Sequence, residues 1–313
     1  MENILNKKEN GWKSLNDDER QKVFGFSDDY IKFLNNSKTE REANKSIVLE
    51  LESQGFKNIC DVDILNSGDK VYFNNRKKSI FAAVIGKSKL EEGVNIVGAH
   101  IDSPRLDLKP NPIYEDAKLA LFKTHYYGGI KKYQWTTIPL ALHGVIVKTN
   151  GEKIEVNIGE DMDDPIFTIT DILPHLSQRQ NEKKITEAIE GEGLNLLIGS
   201  IPGDEKENPV KSNVLKLLNE KYGIVEADFL SSEIEIVPAF KARSLGFDRS
   251  MVAGYGQDDK VCAYATLRAI LDARVADVTS VAIFADKEEI GSVGNTGMYS
   301  EMFDNFMHIL LEK

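Results

Sequence analysis

The sequence predicts an α/β domain that is interrupted by a β-rich insertion and then resumes. Three observations carry this prediction. Helical periodicity and short apolar strands fill the N-terminal third, alternating strands dominate the middle, and a helix, an apolar strand and a second helix follow. The pattern assigns residues 1–106 and 246–313 to the discontinuous α/β part and residues 107–245 to the insertion.

Composition sets the class of protein. The 313 residues carry a net charge of −11, and a chain of this length suggests about two domains. No apolar run approaches the ~20 residues of a membrane span and no secretory signal is evident, so we expect a cytoplasmic protein that does not bind membranes. An acidic pI of 5.1 argues against nucleic-acid binding. Cys60 and Cys262 are too few for a disulfide framework, and we predict two buried thiols.

The N-terminal third predicts one helix and three strands. Apolar residues recur on one helical face at Ala43, Ile47 and Leu51, and Gly55 is a suitable end for this helix. The predicted elements are a helix over 39–54, hairpin strands over 70–74 and 79–85, and a strand over 94–99. The last of these strands ends beside His100, where a polar cluster begins.

The middle third has the alternation of antiparallel strands. Asn150-Gly151 lies between two such strands and predicts a tight turn with positive φ at both residues. A helix over 211–222 is expected to end at Gly223. Further strands are predicted over 117–125, 145–148, 153–158 and 233–238. The acidic run 160–164 is interpreted as a solvated loop.

The C-terminal third returns to alternating helix and strand. Residues 259–273 are apolar on most sides, which is typical of a buried helix. Residues 279–285 form a β-branched apolar run of the kind found in parallel sheets, and residues 299–312 predict a final helix.

Three polar clusters lie where predicted strands or loops end. His100 and Asp102 project to the same side of an extended chain, so both can face one ligand, although a loop histidine beside a turn aspartate is an alternative. Asp258 and Asp259 enter the buried helix and need a cation or solvent, unless they simply cap the helix.

The third cluster contains Glu288 and Glu289, directly after the apolar strand. One glutamate could bind a metal while the other handles a proton, and a solvated acidic loop is the alternative. The glycines that follow match neither the dinucleotide nor the P-loop spacing. Together the three clusters offer one histidine and several carboxylates, which is the ligand mix of a hydrolytic pair of zinc or manganese ions.

Four motifs in combination carry a resemblance to a known family. They are VGAHIDSPRLD from Val97, YGGIKKYQW from Tyr127, GQDDK from Gly256 and DKEEIGS from Asp286. The sequence resembles the aminopeptidase I and aspartyl aminopeptidase family of dinuclear zinc exopeptidases, in particular its bacterial members, from about residue 37 to residue 298.

The resemblance implies roles for individual residues. His100 and Glu289 match terminal ligands of two zinc ions, for which manganese or cobalt could substitute, and Asp258 matches the ligand that bridges them. Asp102 matches the carboxylate that orients the histidine, and Glu288 matches the general base. His175 matches a histidine that reaches a substrate site, in a neighbouring subunit. A cis peptide bond between Asp258 and Asp259 is also implied.

The family further implies an architecture and a reaction. The architecture is a three-layer α/β/α zinc-exopeptidase domain that is split by a β-rich dimerisation domain, with dimers assembling into a tetrahedral dodecamer. The reaction is removal of N-terminal amino acids from peptides by a hydroxide held between the two metals. Family members extend beyond the position of Lys313 and supply another carboxylate and a last histidine there. The alternatives are therefore a catalytically incomplete structural subunit or fragment, and a related amidohydrolase.

Overall fold

The computed structural model describes residues 9–313. Its helices are α1 (Asp17–Asn36), α2 (Glu40–Ser53), α3 (Gln178–Asn181), α4 (Ile185–Ala188), α5 (Pro209–Tyr222), α6 (Gln257–Leu271) and α7 (Met302–Glu312). Its strands are β1 (Lys57–Asn58), β2 (Lys70–Asn75), β3 (Ser79–Val84), β4 (Val94–His100), β5 (Arg105–Asp116), β6 (Leu119–Tyr127), β7 (Leu140–Val147), β8 (Lys153–Ile158), β9 (Leu196–Gly199), β10 (Ser232–Pro238), β11 (Arg243–Leu245), β12 (Met251–Ala253) and β13 (Thr279–Ala285). None of the helices described here is long and apolar enough to cross a membrane.

The first sheet is five-stranded, in the order β1-β2-β3-β13-β4. The buried strand β13 pairs in parallel with β4 and antiparallel with β3, so its predicted parallel character holds on one side. Helices α1, α2 and α6 pack on one face, and α7 covers the other with Phe306 and Leu310. Helices on both faces of a sheet make three layers, and the predicted mixed α/β class is confirmed.

Local sequence signals explain where the main helices begin and end. Thr39 and Glu42 form a reciprocal capping box at the start of α2, and Gly55 follows its end with φ at +85°. Helix α5 ends at Gly223, whose φ of +63° is the left-handed conformation that glycine adopts without penalty. These boundaries agree with the predicted helices to within two residues.

The second sheet is six-stranded and antiparallel, in the order β8-β7-β10-β5-β6-β9. Its core includes Leu106, Phe122 and Ile236, and α5 packs against it beside β6 and β9. The strands of this sheet fall within residues 105–238. The division of the chain into domains at residues 106 and 246 stays a prediction.

The turn at Asn150-Gly151 is different from the predicted one. Of these two residues, Gly151 has a positive φ, at +83°, and Asn150 does not. The connection is longer than two residues, because Lys148 and Glu152 lie between the strands and the Lys148 N–H donates to the Glu152 carbonyl at 2.9 Å. In a longer loop one left-handed residue is enough to close the hairpin.

The prediction of two buried cysteines is wrong, and the prediction of a solvated acidic run is wrong at Glu160, while residues 161–163 are exposed. Cys60 and Cys262 are both exposed. Helix α6 is apolar on two faces but packs with one of them, so Ala263 and Leu267 are buried while Cys262 faces outward. In the acidic run, the Glu160 side chain is only 8% exposed, because cationic side chains surround it.

Candidate metal centre

Strand pairing brings two of the predicted polar clusters together. His100 is the last residue of β4, and it lies opposite Ala285, the last residue of the parallel strand β13. The chain then turns through Lys287, with φ at +67°, into a short 3-10 helix over Glu288–Ile290. Because parallel strands end at the same edge of a sheet, both glutamates arrive beside the histidine.

Side chains from three segments converge at this edge, namely the end of β4, the irregular start of α6 and the short 3-10 helix. His100 Nε2 lies 3.4 Å from Asp258 Oδ1 and 3.6 Å from Glu288 Oε2. Ligand atoms of His100, Glu288 and Glu289 all lie within 4.8 Å of one another. The structure therefore brings together the four residues in which the sequence predicts metal ligands or a base.

Asp258 reaches the cluster through an irregular start of α6. Its backbone is non-helical, with φ at −85° and ψ at 110°, and the Asp258–Asp259 peptide bond is cis, as the resemblance implies. The residue at the cap position is Gly256, so the capping alternative for these aspartates is not observed. The Asp258 carboxylate faces His100 instead.

A buried lysine supports this irregular segment, and the sequence reasoning missed it. Lys260 is completely buried and donates to the Ser103 hydroxyl at 2.6 Å, and that hydroxyl donates to the Asp258 carbonyl at 3.3 Å. Burial lowers the pKa of Lys260 to about 8. A lysine at the start of a predicted buried helix was the available signal, since a buried ammonium group needs a polar partner.

Asp102 is fully buried behind His100. The His100 Nδ1 lies 3.1 Å from the Asp102 carbonyl and 3.3 Å from its carboxylate, so Nδ1 donates to Asp102 and Nε2 is the nitrogen that faces the cluster, where it could bind a metal. Burial alone raises the pKa of Asp102, but the hydrogen bonds from His100 and Tyr127 outweigh burial and lower it. This is the arrangement expected of a residue that orients a metal-binding histidine.

The donor set fits a divalent metal. The His100 Nε2 atom and the carboxylate oxygens lie close together, and a cation can hold such groups in place. Ligand atoms at zinc distances around a tetrahedral ion lie about 3.4 Å apart, which matches the 3.4 Å between His100 Nε2 and Asp258 Oδ1. Burial alone lowers the pKa of His100, but Asp102 and Glu288 raise it to about 9, so the cluster strongly favours positive charge.

His175 does not join the other predicted residues. It lies on the 3-10 helix Pro174–Leu176, is exposed, and is outside the group of converging ligand atoms. Its neighbours Leu173 and Leu176 are 66% and 74% exposed. The structure of this chain therefore places His175 on an apolar surface of the middle segment.

The fold and the converging donors define the class: a mixed α/β protein with a candidate site for a divalent metal. Residues 33–313 match the family model described as aminopeptidase I zinc metalloprotease (M18). The chain belongs to this M18 family.

Relatives and solved structures agree with this assignment. A probable M18 family aminopeptidase 1 of Clostridium acetobutylicum is 53% identical over 309 residues, which are 96% of this chain and 66% of the relative. The crystal structure of an M18 aminopeptidase from Thermotoga maritima has a TM-score of 0.94 at 47% identity, covering 98% of this chain and 67% of the other. Aminopeptidase I from Clostridium acetobutylicum has a TM-score of 0.91 at 49% identity, covering 98% and 69%. The chain spans about two thirds of the length of the curated relatives it matches.

Proposed function

We propose that this chain carries the metal centre of an aminopeptidase that removes N-terminal amino acids from peptides. The observation that supports it is the convergence of His100, Glu288 and Glu289 ligand atoms within 4.8 Å, with Asp258 3.4 Å from the histidine. Membership of a family described as zinc metalloproteases makes zinc the first candidate ion. The proposal includes two ions per site, with manganese or cobalt as substitutes.

Each residue of the cluster has a proposed task. His100 and Glu289 would each hold one metal, Asp258 would be a ligand of both, and Asp102 keeps the imidazole in the orientation that binds metal. The chemistry that bound zinc supplies is a lowered pKa for a coordinated water and polarisation of the scissile carbonyl.

Glu288 handles the proton in this proposal. Its Oε2 lies 3.6 Å from His100 Nε2 and its side chain is 57% exposed, so it reaches both the cluster and the solvent from which substrate arrives. The carboxylate would take the proton of the attacking water and return it to the leaving amine, which becomes the new N-terminus of the shortened peptide. It therefore acts as base in the first step and as acid in the second.

The middle segment has a proposed role in assembly. Residues 107–245 form the dimerisation domain in this interpretation, and dimers build a tetrahedral dodecamer. Exposed apolar side chains around His175, at Leu173 and Leu176, support an interface there, since large apolar side chains on a surface are often covered by a partner. His175 then reaches the substrate site of a neighbouring subunit.

Elemental analysis and peptide hydrolysis test the function. The 313-residue chain, dialysed against zinc, should retain about two ions per chain. It should release the first residue of a peptide with a free N-terminus and leave the N-acetylated peptide intact, and a chelator should abolish release.

The matched variants are His100→Ala and His308→Ala, because His308 is an exposed histidine on α7 outside the cluster. The first should lose metal and the second should keep it. A wild-type chain that retains no metal would overturn the proposal and favour the structural-subunit alternative. Cleavage of the acetylated peptide would contradict the exopeptidase assignment.

A further inference from the structure

The motif that begins at Tyr127 has no role in the metal centre proposed above. Tyr127 is the last residue of β6 and pairs with Arg105 at the start of β5. It therefore belongs to the second sheet, although its side chain points toward the metal centre at the edge of the first. Gly128 follows with φ at +73° and lies against the Glu289 side chain. These contacts place the end of β6 behind the metal ligands.

The Tyr127 hydroxyl is bound to the carboxylate that organises the centre. It donates to Asp102 Oδ2 at 2.8 Å. The same carboxylate accepts the backbone N–H groups of Glu288 and Glu289, each at 3.2 Å, and lies 3.3 Å from His100 Nδ1. The Asp102 carboxylate therefore fixes the positions of both glutamates and of the imidazole relative to one another.

The Tyr127 ring is itself held in place from the other side. The Arg105 guanidinium lies 3.8 Å from the centroid of the ring, and Arg105 is buried. Arg105 is anchored by Glu40, Glu235 and Asp107 at 3.4, 3.1 and 2.8 Å. Stacking on an anchored guanidinium leaves the ring little freedom to turn away from Asp102.

The hydroxyl stays a donor in this setting. Burial and the charge of Asp102 raise the pKa of Tyr127 far above its ordinary value, so the proton remains on the oxygen over the working pH range. The Tyr127 hydroxyl donates to Asp102, which is not one of the three residues with converging ligand atoms. Its contact with the centre runs through Asp102.

We propose that Tyr127 is a positioning residue that fixes the Asp102 carboxylate, and through it His100 and the Glu288–Glu289 turn, in the geometry that binds metal. The inference rests on the proposed function. It adds a residue of the second sheet to a centre whose other members belong to the first sheet and its loops. Loss of an outer partner of a metal ligand commonly weakens metal affinity by about 10- to 100-fold.

The test compares Tyr127→Phe with Tyr126→Phe. The first substitution removes the hydroxyl and keeps the ring on Arg105, while the second removes a hydroxyl from the neighbouring, 43% exposed tyrosine. Zinc affinity is measured by calorimetry on the metal-free 313-residue chain, and the visible absorption of the cobalt form reports ligand geometry. Tyr127→Phe should weaken zinc binding about 10-fold or more and change the cobalt spectrum, and Tyr126→Phe should do neither.

A double-mutant cycle shows whether Tyr127 acts through Asp102. In an Asp102→Ala background the further change Tyr127→Phe should alter zinc affinity less than about twofold, because the carboxylate it positions is gone. Equal zinc affinity of Tyr127→Phe and wild type would overturn the inference while leaving the proposed function intact. A full effect of Tyr127→Phe in the Asp102→Ala background would also overturn it. A wild-type chain that binds no zinc would overturn both.

Discussion

Lys38 Nζ lies 2.5 Å from Glu160 Oε1, and both side chains are withdrawn from solvent although 122 residues separate them. Lys38 precedes α2, which packs on the first sheet, while Glu160 follows β8 of the second sheet. The Lys241 ammonium and the His143 imidazole complete the contacts of Glu160, at 2.6 and 3.1 Å. A buried ionic network thus joins elements of the two sheets.

Removal of the charge at the centre of this network should be costly. Glu160→Gln leaves Lys38 and His143 without their shared anion, and breaking a buried pair by changing one partner typically costs about 3 to 5 kcal/mol. Glu155→Gln is the control, because Glu155 pairs with Lys45 at 3.1 Å in a solvent-exposed position and such pairs contribute about 1 kcal/mol or less. Urea unfolding at pH 7 measures both values, and equal losses would contradict the role of the network.

The same residue predicts a dependence of stability on pH. Burial alone raises the pKa of Glu160, but the hydrogen bonds from His143 and two lysines outweigh it and lower the pKa to about 2. A carboxyl whose pKa is depressed in the folded state stabilises that state above its unfolded pKa, and the contribution is lost as the pH falls through the folded value. Wild-type stability should therefore fall between pH about 4.5 and about 2, and Glu160→Gln should show a smaller fall in this window. If the free energy of unfolding fell equally with pH in the two proteins, Glu160 would not be the source of the pH dependence.

Substitutions of Glu288 and Glu289 should distinguish proton transfer from metal binding. Glu288→Gln removes the proposed base and should lower turnover by about 100-fold or more while metal content stays near that of wild type. Glu289→Ala removes a proposed ligand and should lower the metal content itself. Plasma emission spectroscopy gives the metal content and release of the N-terminal residue gives turnover. Because ligand atoms of both glutamates lie in the converging group, equal metal loss in both variants would show that Glu288 is a ligand.

Gly128 should tolerate no side chain beside Glu289. A Cβ at this position would lie 3.1 Å from the Glu289 Cβ and 3.2 Å from its Oε2, at a φ of +73°. Gly128→Ala should therefore displace the ligand and weaken zinc binding by about 10-fold, as measured by calorimetry. Gly129→Ala is the matched control, since a Cβ there meets no atom within 4 Å. Unchanged affinity in Gly128→Ala would mean that Glu289 does not need its present position to bind metal.

His175 should act in a subunit other than its own. It lies outside the metal cluster, so His175→Ala should keep its zinc and lose turnover. Mixing this variant with Glu288→Gln, after dissociation and reassembly, should restore activity, because a site with intact Glu288 then receives His175 from its neighbour. The control is each variant reassembled alone. A mixture no more active than its components would place His175 in the site of its own chain, or outside catalysis.

The sequence by itself determined most of the main helices and strands, although it did not predict strands such as β5 and β9. The capping box of α2, the left-handed glycines that end α2 and α5, and the strands on either side of Asn150 follow from signals a few residues apart, so they can be recognised without a partner. The same is true of the placement of His100 and Glu288, since His100 ends one apolar strand and Glu288 lies three residues beyond the end of another. Their grouping at one sheet edge could be expected from the general behaviour of such strands.

The tertiary structure alone decided which distant residues meet. The sequence around Tyr127 does not predict its hydrogen bond to Asp102, and the sequence around Lys38 does not predict its contact with Glu160. The apolar pattern of α6 likewise does not predict that Cys262 faces outward. These contacts depend on how the two sheets and their helices pack. A buried polar group must find a partner, but the partner is chosen by packing, because any segment brought within hydrogen-bonding distance can satisfy it.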